Sequence, residues 1–251
     1  MEQEASLAAD ERLDEVNEKL CLIQKKNALA FGTDAFLLSA FLRHAPRARA
    51  LELGCGNGII SLLAATRGRF SHITAVEIQH EMAELTARNV ALNHQGDRIT
   101  VHEADVRELT AAMLGGEVEA VFTNPPYMRT DSGFASPHSA KQTARHETDG
   151  GIAEFAAAAA RCLKYGGTFY AVYRPDRLES LFAALRAAKL APKRCVFVHD
   201  HPNAAPSMVL LEARLGGGEG LTVLPPLLLH DKAGDTALSV RAQAIYDNGV
   251  F

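Results

Sequence analysis

Leu51-Glu52-Leu53-Gly54-Cys55-Gly56-Asn57-Gly58-Ile59-Ile60 spells a strand, a tight loop and the start of a helix. The apolar run at 50–53 stops at three alternating glycines, and a helix-length apolar segment, 59–66, follows at once. Glycine lets a backbone turn sharply and approach a ligand closely, and a helix start directs N–H groups at it. The spacing is GxGxG, unlike the GxGxxG of the dinucleotide fingerprint. A glycine triplet alone is equally compatible with a structural turn. Two further acids sharpen the reading: Glu77 ends the next apolar run, and Asp105 follows the third. Carboxylates at successive strand tips line the crevice where open α/β sheets bind ligands.

Outward from this loop, short apolar runs bounded by turn residues predict strands at 50–53, 73–78, 99–102, 120–123, 168–173, 195–199 and 208–213. Helix-length segments at 59–66, 81–93, 152–163 and 177–189 separate most of them. This alternation predicts a doubly wound α/β fold, its parallel sheet covered on both faces. Residues 200–207 are too few for a crossover helix, so the last strand is expected to join by a hairpin and run antiparallel. Upstream, 20–24 and 28–31 are read as a hairpin around Lys25–Asn27, and Thr33 or Asp34 as the cap of a helix over 35–43.

With 251 residues, 47% hydrophobic and 22% charged, the chain has the composition of one large globular domain. It divides into an acidic extension (1–20), the hairpin and helix (21–48), a core (49–215) and a tail (216–251). Four cysteines lie far apart without CxxC spacing, arguing against a disulfide framework or structural zinc. Neither a membrane-length apolar run nor a signal peptide is evident, and a cytoplasmic protein is expected. The net charge of −4 is unevenly spread: residues 1–20 carry −5, whereas 123–199 carry +5. The basic stretch suits phosphates or an ordinary solvated surface. The ten histidines include no convincing metal set, and no metal is expected.

Thr123-Asn124-Pro125-Pro126-Tyr127 falls where the fourth core strand ends. An exocyclic amine such as that of adenine is a poor nucleophile, because its lone pair is delocalised into the ring. The Asn124 side-chain oxygen and the Pro125 carbonyl can accept both of its N–H groups, pushing the nitrogen towards pyramidal geometry. That is positioning and electrostatic stabilisation, without a strong base. The prolines stiffen the turn, and Tyr127 can stack on a planar target.

The constellation resembles the class I S-adenosylmethionine-dependent methyltransferases, and NPPY resembles the signature of those that methylate planar nitrogen. The resemblance implies a Rossmann-like seven-stranded sheet, mostly parallel with one antiparallel strand. It implies that Glu52, Gly54, Cys55, Gly56 and Gly58 wrap the methionine part of S-adenosylmethionine. Glu77 and Ile78 would hold the ribose side, Asp105 and Val106 would face the adenine, and Asn124 would border the cofactor. Thr33, within Phe31-Gly32-Thr33-Asp34-Ala35, would close over the methionine carboxylate.

Residues 128–149 form a long polar loop carrying Arg129, His138, Lys141, Arg145 and His146, suited to phosphates; Arg174 and Arg194 lie beyond flanking strands. LCLIQKKNALAFGTD (20–34), Val76-Glu77-Ile78-Gln79, Ala144-Arg145-His146-Glu147, Arg174-Pro175-Asp176-Arg177 and Met208-Val209-Leu210-Leu211-Glu212 are similar to the bacterial tRNA adenine-N6 methyltransferases that act beside the anticodon of a valine tRNA. That similarity implies a tRNA partner, substrate contacts from Arg129, Arg145, His146, Arg174 and Arg194, and a characteristic tail at 225–248. Methylation of a release-factor glutamine or of DNA adenine is the alternative activity. A silent cofactor- or RNA-binding module is the alternative outside enzymes.

Overall fold

Side chains alternate across each core strand, and this alternation sorts the interior into two apolar layers. Ala50, Ile73, Ala75, Ala120, Phe122, Tyr170 and Val172 face one way, whereas Leu51, Leu53, Val76, Val121, Phe169 and Ala171 face the other. The computed structural model describes residues 7–26, 32–126 and 151–251. Its long strands are β3 (Ala45–Leu53), β4 (Phe70–Glu77), β5 (Ile99–Glu103), β6 (Val118–Thr123), β7 (Leu163–Tyr173), β8 (Leu190–His199) and β9 (Pro206–Leu215). They lie in the order β8-β9-β7-β6-β3-β4-β5, with β9 alone antiparallel to its neighbours among these seven. Two-residue strands β10 (Thr222–Val223) and β11 (Leu227–Leu228) extend the β8 edge to nine strands. The doubly wound expectation with one reversed strand holds.

Helices α1 (Thr33–Phe41), α2 (Ile59–Thr66), α3 (His80–Leu92) and α6 (Val240–Asn248) contribute to the first layer. The second is covered by α4 (Ile152–Cys162) and α5 (Leu178–Ala187). The 59–66 helix matches its expectation, and the other core helices lie within two residues of theirs, the usual uncertainty at frayed ends. Six of the seven long strands begin earlier than their apolar runs, because pairing extends to half-buried residues such as Arg49, opposite His72, and Arg194, opposite Glu212.

The amino-terminal region corrects the sequence expectation. Strand β2 (Leu20–Lys25) does form a hairpin, but its partner is the acidic strand β1 (Glu11–Asn17). Residues 28–31, the expected partner, lie outside the described residues. Strand β2 docks on α3 through two asparagines one helical turn apart. Asn89 accepts from the Ile23 N–H at 2.7 Å and donates to its carbonyl at 3.1 Å; Asn93 does the same for Cys21 at 3.0 and 2.7 Å. Side-chain amides thus imitate a neighbouring strand and satisfy an edge. Glu11 is 4% exposed and is paired with Arg88 at 2.8 Å, whose guanidinium pulls the carboxyl down to about 2. Glu11 therefore serves hairpin docking.

Candidate active site

Strand register brings the motif residues together. Leu53 pairs with Val76 on one side and Thr123 on the other, so Gly54, Glu77 and Asn124 leave adjacent strand tips. The Thr123 hydroxyl donates to the Leu53 carbonyl at 2.8 Å and locks that register. From β3 the chain winds one way through β4 and β5, then crosses back to β6, leaving a crevice at the switch point. Gly54, Gly56, Glu77, Val106, Asn124 and Phe155 are among its lining residues.

Glu77 is fixed at the crevice floor. One carboxylate oxygen accepts the Gly56 N–H at 2.9 Å, and the other accepts those of Ile78 and Gln79 at 3.0 Å. Three of a carboxylate's roughly four acceptor directions are thereby used, leaving one for a ligand hydroxyl. Gly54 and Gly56 both have positive φ, at 67° and 56°. A Cβ at Gly54 would sit 3.2 Å from the Phe155 ring, whereas one at Gly56 would meet nothing within 4 Å and would fill crevice space. The glycine cradle, the Glu77 carboxylate and the apolar Ile78 and Val106 walls fit a nucleoside-bearing cofactor.

Three expected cofactor residues act behind the loop. Glu52 is 1% exposed, and its carboxylate accepts the Ser61 N–H at 3.0 Å and the Ser61 hydroxyl. It ties the loop to the first turn of α2, and burial pushes its carboxyl up to about 8. The Cys55 thiol lies 3.7 Å from the Thr86 hydroxyl and is likewise pushed up by burial. Gly58 is the N-cap of α2, at φ 82°. Thr86 supports the loop from α3, donating to the Gly56 carbonyl at 2.6 Å. Strand and loop geometry turn the Glu52 carboxylate and the Cys55 thiol inward, which corrects the expectation that Glu52 and Cys55 wrap the cofactor. Asp105 is also engaged, held below its ordinary value by the Arg107 guanidinium, whose Nε lies 2.9 Å from both carboxylate oxygens. Val106, one residue on, reaches the crevice.

Asn124 and Pro126 are half-buried, Pro125 is buried, and Tyr127 lies outside the described residues. The Asn124 amide nitrogen donates to the Asp34 carboxylate at 2.7 Å. Asp34 belongs to α1, whose N-cap is Gly32, so Thr33 and Asp34 open the helix where a cap was expected. Thr33, with Asp34, Tyr173 and Arg174, lines a second groove of about 680 Å³ beside the crevice.

Of the expected substrate residues, Arg129, Arg145 and His146 lie outside the described residues. Arg174 is at the tip of β7, in that groove, paired with Asp176 at 2.7 Å. Arg194 is corrected. It sits halfway along β8, 2.9 Å from Glu212, and its guanidinium covers the Phe41 ring at 4.0 Å. Its hydrogen bond to the Phe41 carbonyl completes an attachment to α1 rather than to substrate. Among the described residues, no group of three His, Cys, Asp or Glu is placed to hold a metal, and no helix is long and apolar enough to cross a membrane.

Sequence reasoning missed Phe155, which reads as an ordinary apolar helix position, and the partnership of Asp34. The adjacent Asp34 and Ala35 in the quoted segment were visible, but nothing local indicated which strand tip they would meet.

A glycine-lined switch-point crevice on a sheet with a single reversed long strand, together with the family match, defines a Rossmann-like, S-adenosylmethionine-dependent methyltransferase. The chain belongs to the methyltransferase small domain family, which it matches over residues 25–188. It is 33% identical over 184 residues to the tRNA1(Val) (adenine(37)-N6)-methyltransferase of Phocaeicola vulgatus, covering 73% of this chain and 76% of the relative. The Dyadobacter fermentans protein of the same name is 29% identical, with 85% and 87% covered. Among solved structures, a predicted O-methyltransferase from Agrobacterium tumefaciens superposes with a TM-score of 0.69 at 24% identity, covering 86% of this chain and 97% of that one. TYW2 from M. jannaschii in complex with AdoMet gives 0.57 at 12%, covering 83% and 87%. At these identities the structural likenesses bear on the fold.

Proposed function

We propose that the protein transfers a methyl group from S-adenosylmethionine to the exocyclic N6 amine of an adenosine in the anticodon loop of a tRNA, as a single domain spanning 1–251 in the cytoplasm. The observation that carries this reading is Asn124 at the crevice rim, its amide nitrogen engaged by Asp34. The names of the relatives support the choice of tRNA.

Bound S-adenosylmethionine would supply an activated methyl on its sulfonium, the S–C bond breaking as the N–C bond forms and S-adenosylhomocysteine leaving. Gly54 and Gly56 would cradle its methionine part, the remaining acceptor direction of Glu77 would take a ribose hydroxyl, and Ile78 and Val106 would flank the adenine. The Asn124 oxygen and the Pro125 carbonyl would accept the two N–H groups of the target, aiming its lone pair at the methyl. As positive charge develops on nitrogen, both oxygens stabilise it in place. A proton then leaves the methylated nitrogen for solvent. Tyr127 would stack on the base, which must leave its loop to reach this depth. The groove bearing Arg174 would take flanking nucleotide, with Arg129, Arg145 and His146 on phosphates.

Purified protein with radiolabelled S-adenosylmethionine is to be offered unmodified tRNA, DNA and a release factor in parallel. Label in tRNA that digests to N6-methyladenosine is expected, and Asn124→Ala is expected to abolish it with cofactor affinity within about twofold of wild type. Label in the release factor or DNA overturns the substrate, and unchanged turnover of Asn124→Ala overturns the catalytic assignment.

A further inference from the structure

We propose that Asp34 is a positioning residue: its carboxylate sets which way the Asn124 amide faces, and so presents oxygen rather than NH2 to the target amine. The inference rests on the catalytic reading of Asn124 and adds a residue to it.

An asparagine amide is nearly symmetric in shape, so packing alone discriminates poorly between its two orientations. In the wrong one, two N–H donors would face the two N–H donors of the incoming amine, and no productive pair could form. A carboxylate resolves this, because an ionised Asp only accepts. The amide atom 2.7 Å from Asp34 is therefore nitrogen, and the oxygen turns away from Asp34. Charge-assisted bonds of this kind are among the stronger ones, and pulling on one N–H polarises the amide so that its oxygen accepts better.

Asp34 is itself held. Its other oxygen accepts the Ala35 N–H at 2.9 Å in the first turn of α1, where the helix end favours negative charge. Leu37, Leu38 and Phe41 anchor that helix in the core. Gly32 leaves the carboxylate its place, since a Cβ there would lie 2.6 Å from Asp34 Oδ1. The pair spans 90 positions of sequence and joins α1 to the end of β6.

The test compares Asp34→Ala, Asp34→Asn and Asn124→Ala, measuring kcat, KM for tRNA, S-adenosylmethionine affinity by calorimetry, and the 15N-labelled Asn124 side-chain amide by NMR. Misplacing a catalytic group by about 1 Å costs on the order of 100-fold, so Asp34→Ala is expected to lower kcat roughly 10- to 100-fold with cofactor affinity and KM within about twofold. Asp34→Asn keeps an acceptor oxygen and is expected to recover part of that loss. The Asn124 amide resonance, identified by its absence in Asn124→Ala, is expected to move in Asp34→Ala, reporting loss of the bond, and a fall confined to kcat with KM and cofactor affinity kept is the signature that a merely structural role would not give. Wild-type kcat in Asp34→Ala, with Asn124→Ala inactive, overturns the role of Asp34 alone. A loss explained by weakened cofactor affinity also overturns it, making Asp34 part of the cofactor site. Full turnover of Asn124→Ala overturns the catalytic reading beneath it.

Discussion

Replacing Glu52 by Gln should make the protein more stable at neutral and alkaline pH, and the gain should vanish towards pH 5. Burial pushes the Glu52 carboxyl from an ordinary 4.5 to about 8, against two hydrogen bonds from Ser61 that favour the charged form. The folded state thus prefers the neutral acid, whereas the unfolded chain ionises normally. The stabilising contribution is complete below about 4.5 and is lost as pH rises through about 8. One pKa unit corresponds to about 1.4 kcal/mol, so the loss accumulated by pH 7 is on the order of 3 kcal/mol. Gln is isosteric, does not titrate there, and can accept from Ser61 through its amide oxygen. Urea unfolding of both proteins at pH 5, 6, 7 and 8, with unchanged slopes, isolates the difference from every other titrating group. Glu11, whose carboxyl is pulled down, acts in the opposite, acidic window and is common to both proteins. Parallel stability curves for Glu52→Gln and wild type would refute the reasoning and mean that the Ser61 donors keep Glu52 ionised.

Gly58→Ala forces a side chain into a left-handed position and sets its Cβ 2.7 Å from the Thr86 methyl, so a loss of about 2–3 kcal/mol in chemical unfolding is expected, with weaker cofactor binding by calorimetry. Asn89→Ala strands the Ile23 N–H and carbonyl and the Asn57 carbonyl, for a cost of about 3 kcal/mol in unfolding and faster hydrogen exchange in β2. Arg194→Ala removes a bond to Glu212 and the cover over Phe41, so a drop of about 2 kcal/mol is expected in thermal unfolding, while KM for tRNA stays at the wild-type value.

Much of the fold was legible because it is written in local pattern. Apolar runs of strand length alternating with helical segments report burial on both faces, and they located all seven long strands and the core helices. The glycine loop was equally legible, since positive φ at Gly54, Gly56 and Gly58 is a demand that glycine meets without a Cβ clash. Glu52 shows where pattern reading stopped short. Its neighbours Leu51 and Leu53 belong to the second layer, so strand alternation turns Glu52 towards α2 and Ser61. That inference was available from period-two geometry, yet a carboxylate beside a glycine loop was read as a ligand.

By itself, then, the sequence determined the order of the core elements and the site of the crevice, because each depends on residues within a few positions of one another. Tertiary structure alone decided partnerships. Hydrophobic period says that β2 is buried on one side, but only the docked hairpin shows α3 completing its edge with Asn89 and Asn93. A basic residue on β8 looked suited to phosphate until the sheet placed Glu212 and Phe41 beside Arg194. Asp34 looked like a helix cap until α1 packed against the end of β6. Which polar groups meet depends on contacts between residues far apart in the chain, and these form only when the sheet and its helices close around one core.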